Sequence, residues 1–458
     1  MMLEASRFGR IYQIFAVIFL IAFGGVNFVT SLGPEVGFDA LWYHLPMAKL
    51  YLEHGGIFHI PGGLLYYSEM PRLGELLFLA SLKISDFGPH LITYLAGLSG
   101  GYLTFRLARL YLPRFESLTV VVLFYCTPLV GWLSGSAYVD LLRTDFELLA
   151  LFFVMKRNYT LGGLALGLAA SVKYLAWTSV LPVGLVLLVA KPTRKQLIYF
   201  LTAFLFSALP WLISSFLNTG YILYPIGTGI LDSRHNLTLN TLSPLTLMAN
   251  LWKVFVFPED PINPIYFSVL TIIVMNLKTL WNKYREISVF VLGGLCVWEV
   301  IPQTGGGRFI LPYLPEMAVV TVIGIGLVKD KFSKNLLVMC IFGLSFVNLA
   351  TRIPSLVRLK PYLLRQETKE EYLCRRPELL PGTFVDCDGQ VKKLVGKDSL
   401  VVTHGIHNLY YIDVPFVDQS WYRGEKYHFV LSGKGITYSP GTLVYHSSQL
   451  GYSLYRTD

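Results

Sequence analysis

Charge is the first thing this chain lacks. Asp, Glu, Lys and Arg make up 15% of its 458 residues, where soluble domains carry about 25%. The deficit comes with many long apolar runs, 53% hydrophobic residues and a mean hydropathy of +0.52. That excludes an ordinary water-soluble enzyme and indicates a polytopic membrane protein. Cysteine is scarce too, at five residues. Cys126, Cys296 and Cys340 lie in apolar runs and read as packing residues. Cys374 and Cys387 lie in the polar C-terminal stretch, at a spacing that fits no zinc motif. A disulfide between them is open if that stretch is extracytoplasmic. There is no tandem repeat, no low-complexity segment, no ATP-binding motif, and no Ser/His/Asp or Cys/His nucleophile pattern. A long basic tract is also missing, although the net charge is +9. The excess Lys and Arg lies in short loops between apolar runs, so it sets topology and gives no sign of nucleic-acid binding.

What is present is apolar and aromatic. Phe, Tyr and Trp reach 14%, which suits interface belts and a sugar- or lipid-facing cavity. After Arg7 and Arg10, residues 11–29 are apolar, too long for a signal-peptide core and without a following A-x-A site. A retained transmembrane anchor is expected there. Apolar runs that span or nearly span fall at about 11–32, 90–111, 117–134, 137–155, 159–172, 174–190, 196–216, 265–281, 287–303, 308–328 and 335–351, eleven in all. A twelfth run, 73–84, is only 12 residues long, against the roughly 20 that a span needs. Its pattern suits an amphipathic helix lying in the interface.

The positive-inside rule decides this point. If 73–84 does not span and the N-terminus is cytoplasmic, the basic clusters at Arg106, Arg109 and Arg114, at Lys156 and Arg157, and at Lys191, Arg194 and Lys195 all face the cytoplasm. So do Lys278, Lys283 and Arg285, and Lys329, Lys331 and Lys334. Making 73–84 a span inverts every cluster relative to Arg7 and Arg10. The non-spanning reading puts the loop 33–89, the 134–140 turn, Lys173, the loop 217–264, the 304–308 turn and the tail outside the cytoplasm. The tail, 352–458, is richer in charge and turns, with short β-like runs SLVVTHGI, NLYYIDVPFV, KYHFVL and TLVYHS. It is expected to form a small α/β soluble domain beside a transmembrane domain over 1–351.

The candidate chemistry gathers on that one face. Asp39 opens DALWYHLPMAKLYLEHGGI, with Tyr43 and His44 one turn later. It could act as a general base toward a hydroxyl or simply cap the helix. Glu69, in YYSEMPRLGE, could assist or offset a helix dipole, whereas Glu75 reads as a solvated face residue. Asp39, His44 and Glu69 could together bind a divalent metal, although no spacing demands one. Asp140 opens the run 137–155, and Arg143 with Glu147 reads as an i,i+4 pair. Lys173 breaks the positive-inside pattern; it could snorkel or bind phosphate. Arg308 follows the glycines of TGGGRFILPYLP, at a span start, where cations and helix N-termini favour phosphate oxygens. Glu299 is a candidate partner for Arg308. Carboxylates in the first loop and cations in later loops suit a base that activates an acceptor while cations stabilise a phosphate leaving group.

These stretches resemble the GT-C glycosyltransferases, especially the group containing protein O-mannosyltransferases and lipid A aminoarabinose transferases. The resemblance rests on FDALWYHLPMAKLYLEHGGI, YYSEMPRLGELL, AYVDLL, GLALGLAASVKYLAW, and NTGYILYPIG with GGRFILPYLP. It covers about residues 10–330, and the order of the motifs carries more than any one of them. It implies a GT-C fold of about eleven transmembrane helices, with interfacial helices in the first outer loop. It also implies a polyprenyl-phosphate sugar donor, a glycan, lipid or protein acceptor, and inversion at the anomeric carbon. Asp39 matches the catalytic Asp of the family's first loop, Asp140 an acidic position after the third span, and Lys173 and Arg308 places where cations meet the lipid phosphate. Many relatives carry Asp-Glu in the first loop, whereas Asp39 is followed by Ala40, which leaves His44 or Glu69 as substitutes. The expectation is a multi-pass enzyme of the plasma (inner) membrane with its active site and tail extracytoplasmic. The rivals are a flippase of lipid-linked sugars, which needs inverted repeats, and a non-catalytic assembly protein acting through its tail.

Overall fold

The computed structural model describes residues 7–229, 243–256, 262–300, 306–438 and 441–457. Thr304 and Gly305 of the expected Gly-rich turn lie outside them, as do parts of the loop 217–264. The chain begins with α1 (Arg7–Thr30), turns through a π-helical segment (Ala40–His44) into α2 (Leu45–His54), and continues to α3 (Leu73–Leu82). Then come α4 (Gly88–Ala108), α5 (Arg114–Tyr125), α6 (Pro128–Leu133), α7 (Asp140–Met155), α8 (Tyr159–Val172), α9 (Val180–Ala190) and α10 (Arg194–Thr219). After the 13-residue α11 (Pro244–Val256), which lies inside the expected loop 217–264, the helices Ile265–Met275 and Leu277–Lys283 meet at 85° where one span over 265–281 is expected. The bundle closes with α12 (Arg285–Val300), α13 (Leu314–Leu327) and α14 (Lys331–Leu363).

Among the described residues three helices are long and apolar enough to cross a bilayer: Tyr12–Thr30, Arg194–Thr219 and Lys331–Leu363, or four if the bent pair is one span. Only 28%, 17% and 11% of their apolar windows are buried in the protein, so most of these side chains face outward, where lipid is the matching solvent. The other apolar helices, α8, α9 and α13 among them, are shorter. α3 has ten residues and extends only about 15 Å, half the thickness of a hydrocarbon core.

Local chemistry fixes the helices that carry the site. α10 starts with a reciprocal cap between Thr193 and Gln196 and ends on Gly220 in the left-handed region. α8 lies against α10 through Gly163 and Gly167, one turn apart; a Cβ at either would overlap a carbonyl oxygen of α10, from Phe200 or Phe204. Only glycine permits such a close backbone approach. α14 starts on Asp330, which accepts from Ser333 N. It then runs unbroken through the expected domain boundary at 351/352.

The tail holds a five-stranded sheet in the order β2-β1-β3-β5-β4. β1 (Val401–His404) pairs in parallel with β2 (Phe416–Asp418) and β3 (Phe429–Ser432); β5 (Ser453–Arg456) runs antiparallel to β3 and to β4 (Thr442–His446). Of NLYYIDVPFV only its last two residues, Phe416 and Val417, enter a strand. The rest docks on the first outer loop: Lys49 Nζ donates to the carbonyls of Tyr410 (3.2 Å) and Ile412 (2.7 Å), and the Tyr411 hydroxyl donates to the Glu35 carbonyl at 2.7 Å. A disulfide joins Cys374 to Cys387. One hydrophobic core contains Leu41, Tyr43, Met47 and Tyr66 of the outer loop together with Phe384, Val401, Leu431 and Leu454 of the tail. Loop and sheet therefore pack as one layer on the end of the helical bundle.

Candidate active site

The site is built from an anchor upward. Glu35 follows α1 and is buried. Its Oε1 accepts from the amides of Val36 (2.8 Å) and Gly37 (2.6 Å), and its Oε2 accepts from Ala137 N (2.5 Å) and lies 3.0 Å from His90 Nε2. Burial acts to raise its pKa, but the hydrogen bond and charge of His90 and the amide donors outweigh it and hold the carboxyl below its ordinary 4.5. This ties the chain after α1 to the turn before α7. Gly37 then lets the Tyr138 ring approach; a Cβ there would sit 2.5 Å from that ring. The Tyr138 hydroxyl in turn accepts from Asp39 N at 3.1 Å.

Asp39 is thus held at the start of the π-helical turn, a form frequent at functional sites. Its side chain makes no cap hydrogen bond. Instead Oδ2 accepts from Arg308 Nη2 at 2.7 Å. Arg308 sits on a 3-10 turn, Gly306–Phe309, ahead of α13, with its guanidinium 5.0 Å over the Tyr138 ring. Asp140, the first residue of α7, accepts at Oδ1 from Lys173 Nζ at 3.0 Å. Lys173 ends α8, so the glycine contact of α8 with α10 sets its position. Arg308 is within electrostatic reach of both aspartates. Two carboxylates and two cations from four separate stretches therefore alternate in one cluster. The Asp39, Arg308 and Lys173 side chains are 19%, 15% and 18% exposed. They are partly exposed, yet dry enough for charge to act strongly.

Aromatic rings wall this cluster. Tyr43 stacks on Tyr67 with centroids 3.7 Å apart, and Trp42 meets Tyr43, Tyr66 and Tyr67 edge-on. Burial, with the charge of Asp39 adding to it, raises both the Tyr43 and the Tyr67 hydroxyls well above the usual phenol range, so both stay protonated.

The other expected residues are engaged elsewhere. His44 Nδ1 lies 2.5 Å from Glu75 Oε1, and both residues are buried. The expectation of Glu75 as a solvated residue is therefore wrong: α3 turns that face onto His44. Glu69 sits 2.7 Å from His59 Nδ1 and accepts from Asn218 Nδ2 at 2.9 Å, tying the loop to the end of α10. Asp39, His44 and Glu69 thus each have a different partner. Among the described residues no group of three or more His, Cys, Asp and Glu gathers to hold a metal ion. Arg143 does pair with Glu147, Nε to Oε1 at 2.5 Å. The expected Glu299–Arg308 pair is not formed; Glu299 accepts from Asn250 at 3.0 Å. Sequence reasoning passed over Glu35, Tyr138 and His407. Glu35 carries a signal, an acidic residue between two glycines just beyond a span; His407 carries none, because only the tertiary fold brings it to the loop.

The fold is similar to two crystal structures of ArnT from Cupriavidus metallidurans. The form bound to undecaprenyl phosphate superposes with a TM-score of 0.65 at 10% identity, covering 96% of this chain and 98% of that one. The apo form gives 0.62 at 11% identity, covering 96% and 97%. No family model matches the sequence, and no curated protein does. At this identity the likeness is one of fold: this chain has an ArnT-like fold over nearly its whole length.

Proposed function

We propose that this chain is an inverting GT-C glycosyltransferase that moves a hexosyl or pentosyl unit from a polyprenyl-phosphate carrier to an acceptor on the extracytoplasmic face of the plasma (inner) membrane. The observation that carries the reading is the alternation of Asp39 and Asp140 with Arg308 and Lys173. Two cations can hold a phosphate, and a carboxylate can serve as base toward a hydroxyl. The ArnT structure bound to undecaprenyl phosphate supports the carrier class. The charge pattern of the short loops supports the sidedness.

In this mechanism the donor phosphate draws Arg308 from Asp39 and shares Lys173 with Asp140. Arg308 binds it through its planar fork. Asp39 then takes the proton of the acceptor hydroxyl, whose oxygen forms the new bond to the anomeric carbon. The bond from that carbon to the phosphate oxygen breaks, and its electron pair leaves on the phosphate, where the two cations neutralise the charge. Tyr138 keeps Asp39 and Arg308 in register through the amide of the one and the guanidinium of the other. The test is to incubate the purified protein with a panel of polyprenyl-phosphate sugars in the presence of glycan, lipid and peptide acceptors. Loss of sugar from at least one donor is expected; loss from none by folded protein would refute the reading.

A further inference from the structure

One face of α7 grips the segment that begins at Lys173 at three successive points. Asp140, Arg143 and Glu147 stand three and four residues apart, so they share that face. Lys173 leads into a 3-10 turn, Tyr174–Ser179. Asp140 Oδ1 accepts from Lys173 Nζ at 3.0 Å, Arg143 Nη2 donates to the Leu175 carbonyl at 3.2 Å, and Glu147 Oε2 accepts from Ser179 Oγ at 2.5 Å. The Ser179 hydrogen is thereby taken up by Glu147. Its oxygen is left as an acceptor for the Tyr313 hydroxyl, 3.0 Å away, which also meets Thr178 of the same turn. Tyr313 lies five residues after Arg308. It closes the second of two adjoining 3-10 turns, Gly306–Phe309 and Leu311–Tyr313. Its ring is packed on α12, where a Cβ on Gly294 would sit 2.7 Å from it.

Arg143, Glu147, Ser179 and Tyr313 are all buried. A buried ion pair adds little to stability over apolar packing, and an i,i+4 pair that served only its own helix would need no bonds leaving it. Here the bonds that leave the Arg143–Glu147 pair reach the turn after Lys173 and, through Ser179, the turns after Arg308. We infer that the chain Glu147–Ser179–Tyr313 positions the donor-phosphate site: one buried carboxylate on α7 sets the separation of Lys173 and Arg308. None of the three is asked to touch the phosphate; they act through the two cations, whose turns come from separate parts of the bundle. Cations held at a fixed separation meet one phosphate without reorganising, which is where charge stabilisation gains most. The inference rests on the glycosyltransferase reading for the identity of the ligand, and its test does not need turnover.

That test is a binding cycle on the full-length purified protein, with farnesyl phosphate as probe and farnesol as its uncharged control. Tyr313→Phe keeps the ring and the Arg143–Glu147 pair and removes only the hydroxyl. It should weaken farnesyl phosphate binding about threefold to tenfold, the worth of one hydrogen bond, with farnesol binding and melting temperature near wild type. Ser179→Ala breaks the same link from the other side, so the double variant S179A/Y313F should lose no more phosphate affinity than S179A alone. In an Arg308→Ala background, Tyr313→Phe should have no further effect, because it acts through that cation. Unchanged farnesyl phosphate binding in Y313F, an equal loss of farnesol binding, or the same loss with and without Arg308 would overturn the inference. Absence of farnesyl phosphate binding in wild type would instead refute the carrier reading, and this inference with it.

Discussion

Arg308 Nη2 and Asp39 Oδ2 lie 2.7 Å apart, joining residues 269 positions apart in the chain. The pair closes the site: a first-loop carboxylate is held by a cation from the far end of the bundle. Because Arg308 also faces Asp140 electrostatically, the proposed mechanism has an arriving phosphate compete with carboxylates already in place, which would make donor binding and release of the base one event.

Replacing Arg308 with Ala should therefore lower kcat/KM for the donor by about 10²- to 10³-fold, the usual loss when one charge-stabilising donor is removed. Arg308→Lys should recover part of that loss, since a point charge remains but the planar fork does not. Steady-state kinetics with varied donor would show both; equal activity of wild type and R308A would contradict the role.

Lys173 and Asp140 should behave as a coupled pair. Asp140 is buried, so Lys173→Met leaves a carboxylate without its cation, and Asp140→Asn leaves the cation without its carboxylate. Thermal unfolding of the two single variants and the double variant should give a coupling of about 0.5–3 kcal/mol, with the double less harmed than the sum of the singles. Strict additivity would show that the pair is not coupled.

Glu35 gives the protein an acid limit. Its folded pKa lies below the ordinary 4.5. The stability it contributes is thus fully present above 4.5 and is lost as pH falls below that value through the folded pKa. Melting temperatures measured from pH 7 to pH 3.5 should fall more steeply for wild type than for Glu35→Gln. The variant should be less stable at pH 7 and flatter in acid; parallel curves would contradict the anchor role.

Gly163→Leu should disable the site from a distance. The new side chain meets the α10 backbone, so α8 must move and carry Lys173 with it. Overpacking of this kind costs about 1–3 kcal/mol or more. Melting and donor affinity should both drop; a drop in neither would show that the glycine contact does not position Lys173.

Much of this was legible in the sequence, for a physical reason. Asp39, Asp140, Lys173 and Arg308 are ionisable groups set in or beside apolar runs, where charge is costly and so stands out. Most apolar runs became helices close to the expected places, since apolar length is a one-dimensional property. The exceptions are instructive. The run 265–281 breaks at 85°, and the expected loop 217–264 before it holds the short apolar helix α11. Pairings were not legible. The choice of Asp39 over Glu299 by Arg308, the burial of Glu75 against His44, and the arrival of His407 beside Trp42 all depend on which distant surfaces meet. No local pattern encodes that. The tail read as a domain by composition, yet its hydrophobic core is shared with the first outer loop.

The most direct test of the whole account is Asp39→Asn, the loss of one ionisable oxygen at the proposed base. Transfer from the polyprenyl-phosphate donor that wild type uses should fall by at least about 10²-fold, with membrane insertion and melting temperature near wild type. Full transfer activity in the folded variant would contradict the mechanism.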